Sequence, residues 1–187
     1  MTIVLNDHVL PWTEEDYFAL GESSDRIELL DGSLYLSPAP TMRHQTISSN
    51  LYADLRAPVR RARLAIFEAV NLRLRPERVV IPDLVIAGPG DVDRLVLEAD
   101  EVRLVCEITS PSNAAHDRIT KMYYYAQAGI EWYLLIDPEG PILHLHRLHG
   151  DTYREEATAA PGQPLALSAP VEVTIDPRDL LPGRPVA

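Results

Sequence analysis

Two carboxylates stand where a carboxylate is costly. Asp83 follows Ile81-Pro82 and leads into Leu84-Val85-Ile86-Ala87, and Glu107 interrupts Leu104-Val105-Cys106 and Ile108. Both segments read as strands, so each acid is set among Val, Ile and Leu. An ionised carboxylate there is unfavourable unless it is paired or holds a metal. Two such acids on neighbouring strands repel each other, and one divalent cation relieves both. The two-residue period of a strand puts Thr109 on the face of Glu107 and Cys106 on the opposite, core side. A third carboxylate, Glu28, lies just before Asp31-Gly32. It reads either as a further carboxylate of the same site or as a solvated edge charge.

The cations are distributed unevenly. Of the 17 basic residues, sixteen are Arg and one, Lys121, is Lys. Lysine is a compact point charge that can change protonation state, which arginine cannot. On an α-helical wheel Ala115, Ile119, Met122 and Ala126 form an apolar stripe, and Lys121 lies away from its centre. Asp117, four residues earlier, offers an exposed ion pair worth only ~0.3–0.5 kcal/mol. His44 sits early in an amphipathic helix, as a surface residue or as an acid and hydrogen-bond donor at a site. His144 and His146 share a strand face, with His149 beyond, but no carboxylate stands beside them at a metal-binding spacing, so they read as strand surface. Tyr123-Tyr124-Tyr125 have rings that stack bases in other settings. Here they read as packing a helix on a sheet.

As a set, these residues resemble a known family. Pro82-Asp83, Glu107-Ile108-Thr109-Ser110-Pro111-Ser112, Asp117, Lys121, Tyr125, Gly129 and Asp137-Pro138 are similar to the Uma2 family, a branch of the PD-(D/E)xK nuclease superfamily. The early segment Arg26-Ile27-Glu28-Leu29-Leu30-Asp31-Gly32 and His44 on the next helix resemble it too, so the likeness runs roughly from Pro11 to Pro138. It implies a restriction endonuclease-like fold with Asp83 and Glu107 holding Mg²⁺ or Mn²⁺. The wider superfamily places a lysine two residues after the acid, where this chain has Thr109. The Uma2 pattern takes its lysine from the following helix, at the position of Lys121. The reaction implied is hydrolysis of DNA phosphodiesters. A carboxylate-bound metal polarises the phosphate and makes bound water more acidic, and a nearby ammonium orients that water and offsets transition-state charge. Glu28 would add a carboxylate to the metal site, and His44 an acid or supporting donor.

The elements that must carry these groups alternate between helix and strand. Pro11 to Leu20 predicts a short helix capped by Thr13. Ile27–Leu30 and Ser33–Leu36 predict a hairpin turning at Asp31-Gly32. Thr41 to Arg60 predicts a helix with Ile47, Leu51 and Leu55 as its apolar stripe. Leu64–Leu74 and Val79–Ala87 read as two adjoining strands, Glu101–Thr109 as another, Asn113–Ala128 as a helix ending at Gly129, and Glu131–Ile136 as an apolar strand. Short antiparallel strands follow from Ile142, with loop at Pro161–Pro164 and a tail at Pro182–Ala187. The pattern predicts one α/β domain over residues 1–187, a mixed sheet flanked by helices with an N-terminal hairpin and added C-terminal strands, its core spanning about 11–160.

Composition bounds the function. With 187 residues, 46% hydrophobic and 24% charged, the chain is neither disordered nor collagen-like. Its single cysteine excludes an internal disulfide and a Cys-rich zinc site. The first residues lack a secretory signal pattern and no apolar run reaches the ~20 residues of a membrane helix, so the expectation is a cytoplasmic protein without membrane contact. The net charge of −11 argues against passive coating of nucleic acid. It favours a second reading, a non-catalytic binding or regulatory module on a nuclease fold, because an acidic surface slows association with DNA. A hydrolase of small phosphorylated substrates is a third. Nucleases that cut both strands often pair, and a homodimer is expected on that ground.

Overall fold

The computed structural model describes residues 10–21, 25–109 and 116–181. Its first helix, α1 (Glu14–Ala19), opens on a capping box in which the Thr13 side chain accepts from Asp16 N–H and the Asp16 side chain accepts from Thr13 N–H. The hairpin β1 (Arg26–Leu30) and β2 (Ser33–Ser37) turns at Asp31-Gly32, where both residues have positive φ, 52° and 81°. That pair of left-handed residues is what a two-residue hairpin turn requires. Thr41 caps the long helix α2 (Met42–Arg61), which buries Ile47, Leu51, Leu55 and Val59.

The two long strands expected at 64–74 and 79–87 are each broken in two. The first becomes β3 (Ala65–Glu68) and β4 (Asn71–Arg75), and the second becomes β5 (Arg78–Val80) and β6 (Leu84–Ala87). The pair still runs side by side, β4 with β5 and β3 with β6, both antiparallel. The breaks pass it from one sheet to another. Ala69 adopts a left-handed backbone, φ 50°, and Pro82 has no N–H to give to a ladder. Within the loop that follows Gly88-Pro89-Gly90 lies a strand the sequence pattern did not predict, β7 (Val96–Glu98), parallel to β4. Then come β8 (Val102–Ile108), a π-helical turn at His116–Lys121, α3 (Met122–Gln127) and β9 (Trp132–Asp137). Strands β10 (Ile142–His149), β11 (Thr152–Ala159), β12 (Leu165–Leu167) and β13 (Val173–Ile175) follow.

The strands thus divide between two main sheets rather than forming one. A six-stranded sheet has the order β11-β10-β9-β8-β6-β3, with β8 and β9 parallel and every other pair antiparallel. A five-stranded sheet has the order β2-β1-β5-β4-β7, and β12 pairs with β13 alone. One face of the six-stranded sheet, carrying Leu84, Ile86, Leu104, Cys106, Leu134 and Ile136, packs on α2 and on Leu165, Ile175 and Leu180 of the C-terminal segment. Its other face, carrying Val85, Val105, Tyr133 and Leu135, meets Leu30, Leu72 and Val80 of the five-stranded sheet together with Tyr125 and Ile130. A third cluster, Trp12, Tyr17, Ile27, Leu29 and Val79, sits under α1. Among the described residues no helix is long and apolar enough to cross a membrane.

Candidate functional site

The alternation of two facing strands aims acids into the same interior. In β1, Ile27 and Leu29 point to the α1 side, so Glu28 and Leu30 point toward the six-stranded sheet. In β8, Cys106 and Ile108 point to α2, so Val105 and Glu107 point back toward the five-stranded sheet. Glu28 and Glu107 therefore enter one intersheet layer from opposite sides, each only 2% exposed. Asp83, 6% exposed, stands in the break between β5 and β6 rather than within a continuous strand. The Ile81 N–H beside that break donates to Glu28 Oε1 at 2.7 Å.

Lys121 joins these acids. Its Nζ donates to Glu28 Oε1 at 2.9 Å and to Glu107 Oε1 at 3.2 Å, and the residue is 4% exposed. This overturns its position on the helical wheel. Ile119, assigned to the buried stripe, is 72% exposed. The wheel advances about 100° per residue, whereas the 116–121 segment is a π turn, which closes i→i+5 and takes one more residue around. That turns Ile119 to solvent, while Lys121 keeps the helical spacing of four to Tyr125 and shares its inward face. Ala115, the side chain of Asp117 and the Ser110-Pro111-Ser112 segment lie outside the described residues, as do the first residues and the 182–187 tail.

His44 is also brought in. It sits in the first turn of α2, and its Nε2 lies 3.2 Å from Asp83 Oδ2, an oxygen that also accepts from Ile108 N–H at 2.8 Å. His44 Nδ1 is buried without a partner among the described residues. Burial acts to raise the Asp83 carboxyl, but the His44 hydrogen bond, the Arg26 charge and the Ile108 N–H outweigh it and hold the group well below the ordinary carboxylate range.

Two participants, both within the family-like motifs, had no site role expected from the sequence. Arg26 Nη1 lies 2.6 Å from Asp83 Oδ1, and its Nη2 donates to Ile81 C=O and stands 3.8 Å from Glu107 Oε2. The Tyr125 hydroxyl donates to Glu107 Oε1 at 2.5 Å, and burial followed by the Glu107 charge pushes its phenol far up. Both had a signal in the spacing. Arg26 is two residues before Glu28, on the same strand face, and Tyr125 is four residues after Lys121, one helical turn along.

The remaining candidates stand apart. Thr109 is buried and extends the β8–β9 ladder through its N–H to Ile136 C=O at 2.9 Å. Cys106 is buried in the core. Tyr124 covers Arg78, whose guanidinium carbon is 3.6 Å from the ring centre, and Tyr123 is exposed. His144 Nδ1 is 2.9 Å from Glu155, and the His146 ring lies 5.9 Å from that of Tyr133.

The model of the Uma2 family, described as "Putative restriction endonuclease", matches residues 14–178. The chain belongs to the Uma2 family. Comparison with curated proteins gives no match. Among solved structures, this Uma2 chain is similar to one described as a "putative nuclease belonging to DUF820" from Anabaena variabilis, with a TM-score of 0.71 at 20% identity. The superposition covers 91% of the Uma2 chain and 97% of the other, and at that identity it establishes the shared fold.

Proposed function

We propose that this chain is a metal-dependent endonuclease that hydrolyses DNA phosphodiesters, with Asp83, Glu107 and Lys121 at its centre. One observation carries the reading: the only lysine of the chain lies buried between Glu28 and Glu107, with Asp83 reaching the same cluster through Arg26. Such an arrangement has little value for stability. A buried ion-pair network is often no better than apolar packing of equal volume, and clustered ionisable groups of this kind are a mark of functional sites.

Among the described residues no three His, Cys, Asp or Glu side chains gather as a metal site, so a divalent cation would rest on two carboxylates. Asp83 Oδ1 and Glu107 Oε2 both face one positive group, the Arg26 guanidinium. Mg²⁺ keeps several waters and needs only one or two carboxylates beside a substrate phosphate. Asp83 and Glu107 would hold the ion, which when bound would polarise the phosphate and acidify a water. Glu28 stands on the lysine side of the cluster, within reach of the same ammonium. Lys121, held by Glu28 and Glu107, would supply the positive charge that orients an attacking water and offsets charge in the transition state. His44 and Ile108 N–H fix one oxygen of Asp83, and Tyr125 fixes one of Glu107, so neither acid can rotate freely. Arg43 and His44 occupy the first turn of a 20-residue helix that has no acid there. The Arg43 cation at that end opposes the helix dipole, a cost that contact with an anionic backbone would offset.

The test is cleavage of plasmid and single-stranded DNA with Mg²⁺ or Mn²⁺, wild type beside Lys121→Met and Asp83→Asn purified identically. Cleavage by the wild type alone supports the reading, and equal cleavage by all three refutes the assignment of these residues. The charge of −11 and the guanidinium seated between the two acids favour the second reading, a non-catalytic module on the same fold. DNA binding by a wild type that cleaves nothing selects it. A homodimer belongs to the proposal as well. β2 is the open edge of its sheet, with Tyr35 and Leu36 exposed, and a monomeric mass in sedimentation removes that part.

A further inference from the structure

Arg26 lies against both of the acids that would hold a metal. Besides the Ile81 carbonyl, Arg26 contacts Asp83 Oδ1 and Glu107 Oε2, whereas His44 and Ile108 N–H hold Asp83 Oδ2, and Lys121 and Tyr125 hold Glu107 Oε1. One guanidinium therefore spans both acids on the side that faces it. We propose that Arg26 is the resident counter-cation of the Asp83–Glu107 pair and that it exchanges with the divalent ion, withdrawing as the metal enters and becoming available to the substrate phosphate. The inference rests on the metal-dependent reading above.

Three observations carry it. The first is charge. With Arg26 and Lys121 in place, the three carboxylates Glu28, Asp83 and Glu107 are nearly neutralised, and a divalent ion added on top would meet a like charge on its own ligands. Replacing the guanidinium by the ion keeps the cluster near neutral, so entry of one and departure of the other are linked. The second is access. The Arg26 side chain is 25% exposed, whereas those of Lys121, Asp83 and Glu107 are 5%, 4% and 2% exposed. Arg26 reaches in from the solvent side, from the first residue of β1, and it can leave by the same route without disturbing the lysine. The third is incomplete satisfaction. Arg26 Nε is buried with no acceptor among the described residues, so the guanidinium is held by its two terminal nitrogens alone. The planar fork that spans two carboxylates here also matches two oxygens of a phosphate.

The experiment measures metal binding and not cleavage. Full-length wild type, Arg26→Gln and Arg26→Lys, stripped with chelator and then freed of it, are titrated with Mn²⁺ and the free ion is followed by electron paramagnetic resonance. Arg26→Gln should bind Mn²⁺ at least about tenfold more tightly than wild type, because the competing charge is gone. Arg26→Lys, whose point charge cannot span both acids, should fall between them. Equal or weaker binding by both variants overturns the exchange while leaving the metal site standing. Absence of Mn²⁺ binding by all three folded proteins refutes the metal-dependent reading itself. Should Arg26→Gln fail to fold, the Arg26→Lys comparison decides alone. In the wild type, the Arg26 ¹⁵Nε resonance should shift on addition of Mg²⁺, and a resonance unmoved at saturating metal overturns the proposal independently.

Discussion

Removal of the Lys121 ammonium should be the most disruptive single change in the interior. Lys121→Met keeps most of the aliphatic volume and deletes the contacts at 2.9 Å to Glu28 and 3.2 Å to Glu107. At an effective dielectric constant of about 20, each contact is worth about 5 kcal/mol. The variant no longer bears the several kcal/mol of dehydrating an ammonium, but the carboxylates left behind stay buried and dehydrated. Breaking a buried pair from one side costs about 3–5 kcal/mol on balance. For a domain of this size that is a drop of about 6–20 °C in melting temperature. Urea unfolding followed by circular dichroism, in chelator and at neutral pH, measures the loss. The same titration on Glu28→Gln and on the double variant completes a cycle. The double variant should be more stable than the sum of the single losses predicts, by about 0.5–3 kcal/mol, because a neutral amide in place of the Glu28 carboxylate no longer needs a cation. A loss below about 1 kcal/mol for Lys121→Met, within the range of a solvated surface pair, would refute the buried network.

Further expectations concern the other parts of the structure. Because the Asp83 carboxyl lies below its ordinary value of 3.8 in the folded protein, it favours the native state above that value and loses this contribution as pH falls through its own lower one. Urea midpoints measured from about pH 5 to pH 2 should therefore fall more steeply for wild type than for Asp83→Asn, and parallel curves contradict the assignment. Tyr125→Phe removes the hydroxyl from Glu107 and should cost about 1.5–3 kcal/mol in the same assay. The phenol should also be missing from an ultraviolet titration until the protein unfolds in alkali. Arg43→Glu should leave the melting temperature nearly unchanged, weaken DNA binding and reduce the salt dependence of log K by about one unit. Gly32→Ala should destabilise the hairpin, since the residue has φ 81° and a Cβ there would lie 2.6 Å from Pro11 Cβ. Thermal melts register that loss.

Local chemistry made much of this legible from the sequence. Asp31-Gly32 specified its turn, Thr13 and Thr41 specified their helix starts, and the apolar stripe of α2 specified a buried face. The acids Asp83 and Glu107 were conspicuous because their neighbours are aliphatic. The division of strands between two sheets was not legible, because a run such as Leu64–Leu74 has the same apolar pattern whether it stays in one sheet or bends into another. Only Pro82 hinted at a break, and Ala69 in a left-handed conformation carries no signal at all. Glu28 remained ambiguous because period two says which residues share a face and not which face is covered. The partners of Asp83 and Glu107 come from residues as distant as Arg26 and Lys121, so their distances follow from tertiary packing.

The π turn at His116–Lys121 makes the placement of the lysine a matter of counting as well as chemistry. Such a turn is an α-helix holding one residue more than its length would otherwise accept. Lys121 and Tyr125 both reach Glu107 from the C-terminal side of that surplus, and their spacing of four belongs to ordinary helix. Deleting one residue between His116 and Thr120 could therefore be absorbed by a return to regular helix. The pair would stay on its acid, while the residues before it would turn by about 100° relative to the sheet. Two intervals along the chain are thus constrained differently: lysine to tyrosine is rigid, and acid to lysine can change by one. An alignment that forbids a gap between the acid and the lysine would score a relative without the surplus residue as lacking its lysine.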